Sequence, residues 1–311
     1  LQVGQLVAFI EYLFHAMFSI MLFSMVFVMY PKAQVSANRI MEVLNTEPII
    51  KSPKNGIKDT ENKGTIEFEN VSFTYPNGEE PVIKDVSFSG KKGEVIAFIG
   101  STGSGKSTLI NLIPSFYDVT KGSIKIDGVD VRDYDLKYLR KKIGFIPQKT
   151  LLFTGSIANN IKFGKKDAEY KEVEDSAKIA QAYEFISNKP NKFDELITEG
   201  GSNVSGGQKQ RLSIARALVK NPDVYIFDDS FSALDFKTDA ILRKELRSET
   251  KDAIVLIVAQ RIGSIMDADK IIVLNEGEVV GIGTHKELIK NCPIYHEIAT
   301  SQLTEEELAN E

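Results

Sequence analysis

Residues 100–108, Gly100-Ser-Thr-Gly-Ser-Gly-Lys-Ser-Thr108, decide the fold of this chain. Four residues separate Gly100 from Gly105, and Lys106 and Ser107 follow directly, which is the pattern of a phosphate-binding loop. Before it, Glu94-Val-Ile-Ala-Phe-Ile99 reads as a buried strand, and after it Thr108-Leu-Ile-Asn-Leu-Ile113 reads as the first turns of a helix. The motif needs this strand–loop–helix context. Its glycines let backbone N–H groups approach phosphate oxygens closely, and the helix N-terminus adds free donors and a positive dipole end. Gly100, Ser101, Thr102, Gly103, Ser104, Gly105, Lys106, Ser107 and Thr108 are therefore the candidate nucleotide-binding residues. Lys106 is expected to reach the β and γ phosphates, and the Ser107 hydroxyl to ligate Mg²⁺.

The surrounding composition supports a folded chain. At 311 residues and 42% hydrophobic content it has enough apolar material for one large domain or two ordinary ones. A net charge of −5 gives no electrostatic case for nucleic acid. The one cysteine, Cys292, excludes an intrachain disulfide and reads as a bystander thiol. His15, His285 and His296 are far apart in sequence and indicate no further metal site.

Leu6 to Tyr30 is nearly all apolar, with only Glu11 and His15 able to carry charge. As a helix of roughly 37 Å it exceeds the ~30 Å hydrocarbon core of a bilayer. A signal peptide would place basic residues ahead of the run, whereas Lys32 and Arg39 follow it, which puts the C-terminal end on the cytoplasmic side. Glu11 and His15, four apart, share one helix face and either line a cavity or hydrogen-bond a neighbouring helix. Past Pro31 the pattern stays helical through the stripe Ile40, Val43 and Leu44. The expected organisation is a transmembrane helix with a cytoplasmic extension over 1–47, a linker over 48–63, a catalytic domain over 64–302 and an acidic tail over 303–311.

Within that domain, Ile66–Tyr75 starts as an alternating strand, and Tyr75 is an aromatic at its end that either stacks on a base or packs at the core rim. Ile143–Gln148 is a short strand ending in an amide, residues 167–188 read as helical, and Val204–Arg211 runs into a helix over Leu212–Lys220. Val224–Asp228 is a buried strand ending in carboxylates, where a second Mg²⁺ partner is expected. Ile254–Ala259 is a strand ending at Gln260, and a hairpin turns at Asn275-Glu-Gly277 before short helices over 284–302.

Val204-Ser205-Gly206-Gly207-Gln208 resembles the signature sequence of ATP-binding cassette (ABC) proteins, with valine at the usual leucine. The order of phosphate loop, Gln148, signature, Asp228 and then Ser232-Ala233-Leu234-Asp235, similar to a D-loop, also resembles that family. The resemblance implies an α/β P-loop NTPase fold of ABC type: a mixed core sheet, an antiparallel β subdomain and an α-helical subdomain. Preceded by the membrane helix, it is similar to the end of an exporter half-transporter. It implies Tyr75 stacking on adenine, Gln148 with Ser107 and Asp228 at Mg²⁺, and Ser205, Gly206 and Gly207 capping the γ phosphate of ATP held by an opposite subunit. Thr198-Glu-Gly-Gly201 lies where exporters sense the cytoplasmic loops of the membrane domain.

Two positions depart from the family pattern. The usual glutamate after Asp228 is Asp229, and the usual histidine after the following strand is Gln260. Both fall on the pair that carries hydrolysis, so this chain is expected to bind ATP and hydrolyse it slowly while its signature completes a partner's site. That resembles the degenerate subunit of heterodimeric bacterial exporters of the multidrug type, with drugs or lipids as substrate classes. The rivals are a homodimeric exporter with ordinary sites and a soluble ABC ATPase, which the apolar run at 6–30 opposes.

Overall fold

The computed structural model describes residues 2–60 and 64–303, so the expected acidic tail from 304 onward and positions 61–63 of the expected linker lie outside the described residues. The chain divides into two units, Leu1–Lys51 and Ser52–Glu311.

The first unit is one helix, α1 (Val3–Asn45), continuous through Pro31. Two of its serines bond back within the helix: Ser19 donates to the His15 carbonyl at 2.8 Å and Ser24 to that of Ile20 at 2.9 Å. Such back-bonding lets a hydroxyl sit in an apolar setting. The helix stops where Thr46 donates to the Glu42 carbonyl, two residues before Pro48. By length and composition α1 is able to cross a membrane. At 43 residues it spans roughly 65 Å, about twice a hydrocarbon core, so only part of it is needed for a crossing.

The second unit opens with β1 (Thr65–Phe73), β2 (Ile83–Lys91), β3 (Val95–Ile99), α2 (Lys106–Leu112), β4 (Lys121–Ile126) and β5 (Val129–Asp130). Next come α3 (Leu136–Lys142), β6 (Ile143–Ile146), β7 (Gly155–Ser156), α4 (Ile157–Lys162), α5 (Tyr170–Ile179), α6 (Tyr183–Ser187) and β8 (Leu196–Ile197). The chain continues through α7 (Gly206–Leu218), β9 (Val224–Asp228), α8 (Phe236–Glu249), β10 (Ile254–Val258), β11 (Lys270–Asn275), β12 (Glu278–Gly283), α9 (His285–Asn291) and α10 (Pro293–Gln302).

A six-stranded sheet in the order β12-β11-β3-β10-β9-β6 forms the centre. All its strands are parallel except β12, which pairs antiparallel with β11 through the turn at Glu276 and Gly277, both at positive φ. Alternation along the central strands sends side chains into two cores. Ala97 and Ile99 of β3 join Val255 and Ile257 of β10 on the face covered by α5, α7 and α10. Ile96 and Phe98 join Leu256 and Val258 on the face that packs against the second sheet. That sheet, β2-β1-β4-β5, is antiparallel. Strands buried on both faces read as continuous apolar runs, as β3, β9 and β10 do.

Two sequence expectations change here. The helical stretch at 167–188 is two helices, because Gln181 takes a left-handed φ of 55° and the Ala182 N–H bonds to the Ala177 carbonyl. The helix expected from Leu212 begins at Gly206 and ends at Leu218, because Ser205 caps it.

Residues 52–60, expected within a linker, lie on the second unit. Ser52 Oγ accepts from the Leu136 N–H, Ile57 forms a β-bridge with Tyr134, and Thr60 Oγ1 bonds Asp127. Asp127 is the hub. It accepts from the Gly64 N–H at 2.6 Å and from Lys142 Nζ at 2.6 Å, and Lys142 also donates to Asp223 at 2.7 Å. Burial pulls the Lys142 ammonium toward neutrality, but its bonds to Asp127 and Asp223 outweigh this and raise its pKa. Lys142→Met would leave the Asp127 carboxylate buried and unpaired, which costs about 3–5 kcal/mol. The expected result is a midpoint lowered by roughly 6–20 °C in a thermal melt. Adding Asp127→Asn should recover part of it, and a melt unchanged by Lys142→Met alone would refute the hub.

Candidate nucleotide site

Parallel pairing brings the site together. β3, β10, β9 and β6 lie side by side and point the same way, so the residues just past their carboxyl ends share one edge of the sheet. These are the loop after Ile99, Gln260, Asp228 with Asp229, and Gln148. A cavity on that edge is lined by Thr102, Gly103, Gly105, Lys106, Ser107, Thr108, Gln148, Asp228, Asp229 and Gln260, with Val82 and Val258.

The glycines of the loop have separate reasons. Gly100 has φ 155°, and a Cβ there would lie 2.0 Å from the Leu274 carbonyl oxygen. Gly105 caps α2 at φ 95°, where a Cβ would meet Ile83 at 2.7 Å. Lys106, 9% exposed, uses its three donors on the loop itself: the carbonyls of Gly100 and Ser101, each at 2.8 Å, and Ser104 Oγ at 3.2 Å. Burial lowers the Lys106 pKa, opposed by the charges of Asp229 and Asp228.

Ser107 Oγ donates to Asp228 Oδ1 at 2.8 Å. Burial raises the Asp228 pKa, and Asp229 adds to this while Ser107 and Lys106 oppose it. Asp229 sits on β9's end between the ends of β6 and β10, and both neighbours reach it. Its Oδ2 accepts from Gln148 Nε2 at 3.0 Å and from Gln260 Nε2 at 2.7 Å. Its backbone is left-handed, at φ 48°. Burial raises its pKa as well, against the Gln148 hydrogen bond and the charge of Arg261.

Mg²⁺ fits this donor set. The Ser107 hydroxyl and the Asp228 carboxylate already stand at bonding distance from each other, and the side-chain amide of Gln148 reaches the adjacent Asp229. Among the described residues no cluster of three or more His, Cys, Asp or Glu could hold a metal. Mg²⁺ held by substrate phosphates with one or two protein oxygens needs no such cage.

Other expected residues stand apart from this cavity. Tyr75 does not line it; its hydroxyl bonds Thr108 Oγ1 at 3.0 Å, and its ring packs edge-on against Phe73 and Tyr117. Val204 is buried, and Ser205 forms a reciprocal capping box with Gln208 at the start of α7. Gly207 adjoins the D-loop stretch, where a Cβ would lie 3.1 Å from the Ala233 carbonyl oxygen. Asp235 caps α8 by accepting from the Thr238 N–H. Between signature and amide strand, Thr150 Oγ1 donates to Gln210 Oε1. Val82 was not foreseen; it precedes β2 and lacks any motif, yet its carbonyl also adjoins Gly105 and Gly277.

A glycine-rich loop between a central parallel strand and a helix, beside an acid-ended neighbouring strand, defines a P-loop nucleotide-binding domain. The ABC transporter family model matches residues 83–232, and the chain belongs to that family, as an ABC nucleotide-binding domain preceded by an apolar helix. It is 42% identical over 305 residues to the Bacillus subtilis ABC transporter ATP-binding protein YfiB, covering 98% of this chain and 52% of that protein. A Staphylococcus aureus protein, provisionally named a multidrug export ATP-binding/permease protein, is 45% identical over 240 residues, 77% of this chain and 42% of its own length. The solved structure of a bacterial Atm1-family ABC exporter with ATP bound matches with a TM-score of 0.85 and 32% identity, over 98% of this chain and 53% of that one. The chain thus spans about half the length of the relatives it matches.

Proposed function

We propose that this chain is the C-terminal part of an ABC exporter half-transporter in the cytoplasmic membrane, with its nucleotide-binding domain in the cytoplasm. In this reading residues 1–47 are the last transmembrane helix and its extension, and 64–302 are the catalytic domain. The observation that carries it is the convergence of Lys106, Ser107, Gln148, Asp228, Asp229 and Gln260 on one cavity at the sheet edge. The likeness to an exporter with ATP bound and to a multidrug export relative supports the direction of transport.

Lys106 exchanges its loop acceptors for the β and γ phosphates, which the N–H groups at the start of α2 also meet. Ser107, Asp228 and Gln148 hold Mg²⁺, which when bound neutralises developing charge on the phosphates. Tyr75 offers its ring to adenine. Asp229 orients the attacking water and Gln260 donates to the terminal phosphate. An aspartate places its carboxylate one methylene short, and a glutamine donates without charge, so this site turns over slowly. Val204–Gln208 and the Ser232–Asp235 stretch complete the ATP site of a second half-transporter, which supplies the missing glutamate and histidine. ATP binding closes the paired domains, and hydrolysis, mainly at the partner's site, reopens them and drives export.

Binding of a fluorescent ATP analogue with Mg²⁺ tests the site directly. Lys106→Ala removes charge-assisted hydrogen bonds worth roughly 1.5–3 kcal/mol and should weaken binding by about 10–100-fold. Unchanged affinity in a folded variant would place the nucleotide elsewhere. Mass determination of the purified assembly then separates a heterodimer from a homodimer.

A further inference from the structure

The last residue of α10 reaches back to the site. Gln302 accepts from the Ile262 N–H through Oε1 at 2.8 Å and donates from Nε2 to the Gln260 carbonyl at 2.8 Å. One planar amide therefore bonds both sides of Arg261, across a gap of 42 residues in sequence. On its other side, Gln260 carries its own amide to Asp229 at 2.7 Å.

This segment needs such a brace. β10 ends at Val258, and the next regular turn begins at Ile262. Gln260 and Arg261 between them are exposed, while Ala259 and Ile262 are buried on either side. The brace itself is well rooted: Tyr295 and Ala299 of α10 are fully buried, and Ile294, Ile298 and Leu303 pack against the main core. Only a side chain with a donor and an acceptor in one plane satisfies both backbone groups. Glutamate could accept from Ile262 but would set an oxygen against the Gln260 carbonyl. Methionine has the length of glutamine and neither bond.

We infer that Gln302 is a positioning residue for hydrolysis: it fixes the backbone at Gln260 so that the Gln260 amide is held at Asp229, where the terminal phosphate arrives. This rests on the reading of Gln260 given above. Because the side-chain hydrogen bonds of Gln302 go to the backbone at 260 and 262 and not to the loop at 100–108 or to Tyr75, its effect falls on turnover and not on ATP affinity.

The test measures kcat and KM for Mg-ATP in the purified full-length protein, native and with Gln302→Met, Gln302→Glu, Gln260→Ala and the Gln260→Ala/Gln302→Met pair. Misplacement of a contacting group lowers the chemical step, so Gln302→Met should reduce kcat about fivefold with KM within about twofold, and Gln302→Glu at least as much. Residues acting through one contact are non-additive, so the pair should fall no further than Gln260→Ala alone, within about 1.5-fold. If Gln260→Ala lowers kcat and Gln302→Met does not, the positioning role is refuted and the site reading stands. A Gln302→Met loss that persists in full on the Gln260→Ala background, or that appears mainly in KM, means a merely structural tether. If Gln260→Ala leaves kcat unchanged, the reading of Gln260 fails and the positioning role fails with it.

Discussion

Replacing Asp229 with glutamate and Gln260 with histidine together should raise the Mg-ATP turnover of the full-length protein at least about tenfold, equivalent to roughly 1.4 kcal/mol of barrier. The geometry gives the reason. Asp229 Oδ2 is held between the amides of Gln148 and Gln260, both anchored at the ends of neighbouring strands. An added methylene carries the carboxylate about 1–1.5 Å further from β9, and a misplacement of that size is worth up to ~10²-fold. A well-placed general base contributes ~10²–10⁴. Histidine at 260 adds the capacity for a charge-assisted bond, about twice as strong as that of a neutral amide. The left-handed φ of 48° at position 229 suits aspartate better than glutamate. That cost is present before and after reaction, so it lowers stability and not rate. A native protein that already runs at ~1 s⁻¹ or faster would show that Asp229 and Gln260 suffice. The homodimer with ordinary sites would then be the better account.

How much of this was legible in the sequence follows from where each interaction lies. The loop at 100–108, the strand ending at Asp228 and the hairpin at 275–277 are local patterns of apolar runs and turn residues, and each formed. The family resemblance implied the antiparallel second sheet, but from residue pattern alone it was legible only at the start of β1. Register shifts between Phe68 and Val71 and again before Phe73 break its alternation, and Asn70 and Asp85 take positive φ. The capped start of α7 was underread because Gly206 and Gly207 are poor helix formers, and the Ser205–Gln208 box overrides that propensity. Pairing of Asp229 with two glutamines depends on the strand order β10-β9-β6, which joins residues 81 and 31 positions apart. The order of the motifs in an ABC family resemblance could supply those residues, but not the hydrogen bonds between them. The bonds of Gln302 to the 260–262 segment carry no motif at all, and only the fold reveals them.

A side chain at Gly206 should leave this domain folded and yet cut ATP turnover of the assembled transporter by at least about 100-fold, the scale of losing one preorganised phosphate donor. Most of the domain's glycines have an internal reason. A Cβ at Gly164 would lie 1.9 Å from the Arg216 carbonyl, and one at Gly207 would press on Ala233. Gly206 has none: it is exposed, is not among the glycines with positive φ, and a Cβ there would meet nothing within 4 Å. As the first residue of α7 it even opposes the helix, since alanine is the better helix former. Aspartate at that position would be favoured by the helix dipole. The chain's own stability therefore gives no reason for glycine here, and the proposed reason lies outside it, in a phosphate of the opposite subunit that must approach the N–H groups opening α7. Gly206→Ala and Gly206→Asp should keep the melting midpoint within a few degrees, with the aspartate at or above the native value, and should keep ATP analogue binding at this chain's own loop. Turnover of the assembly should fall with both, and more with aspartate, whose charge repels the phosphate. Full turnover in Gly206→Asp would mean that no phosphate approaches the signature, and the completion of a partner's site by this chain would have to be abandoned.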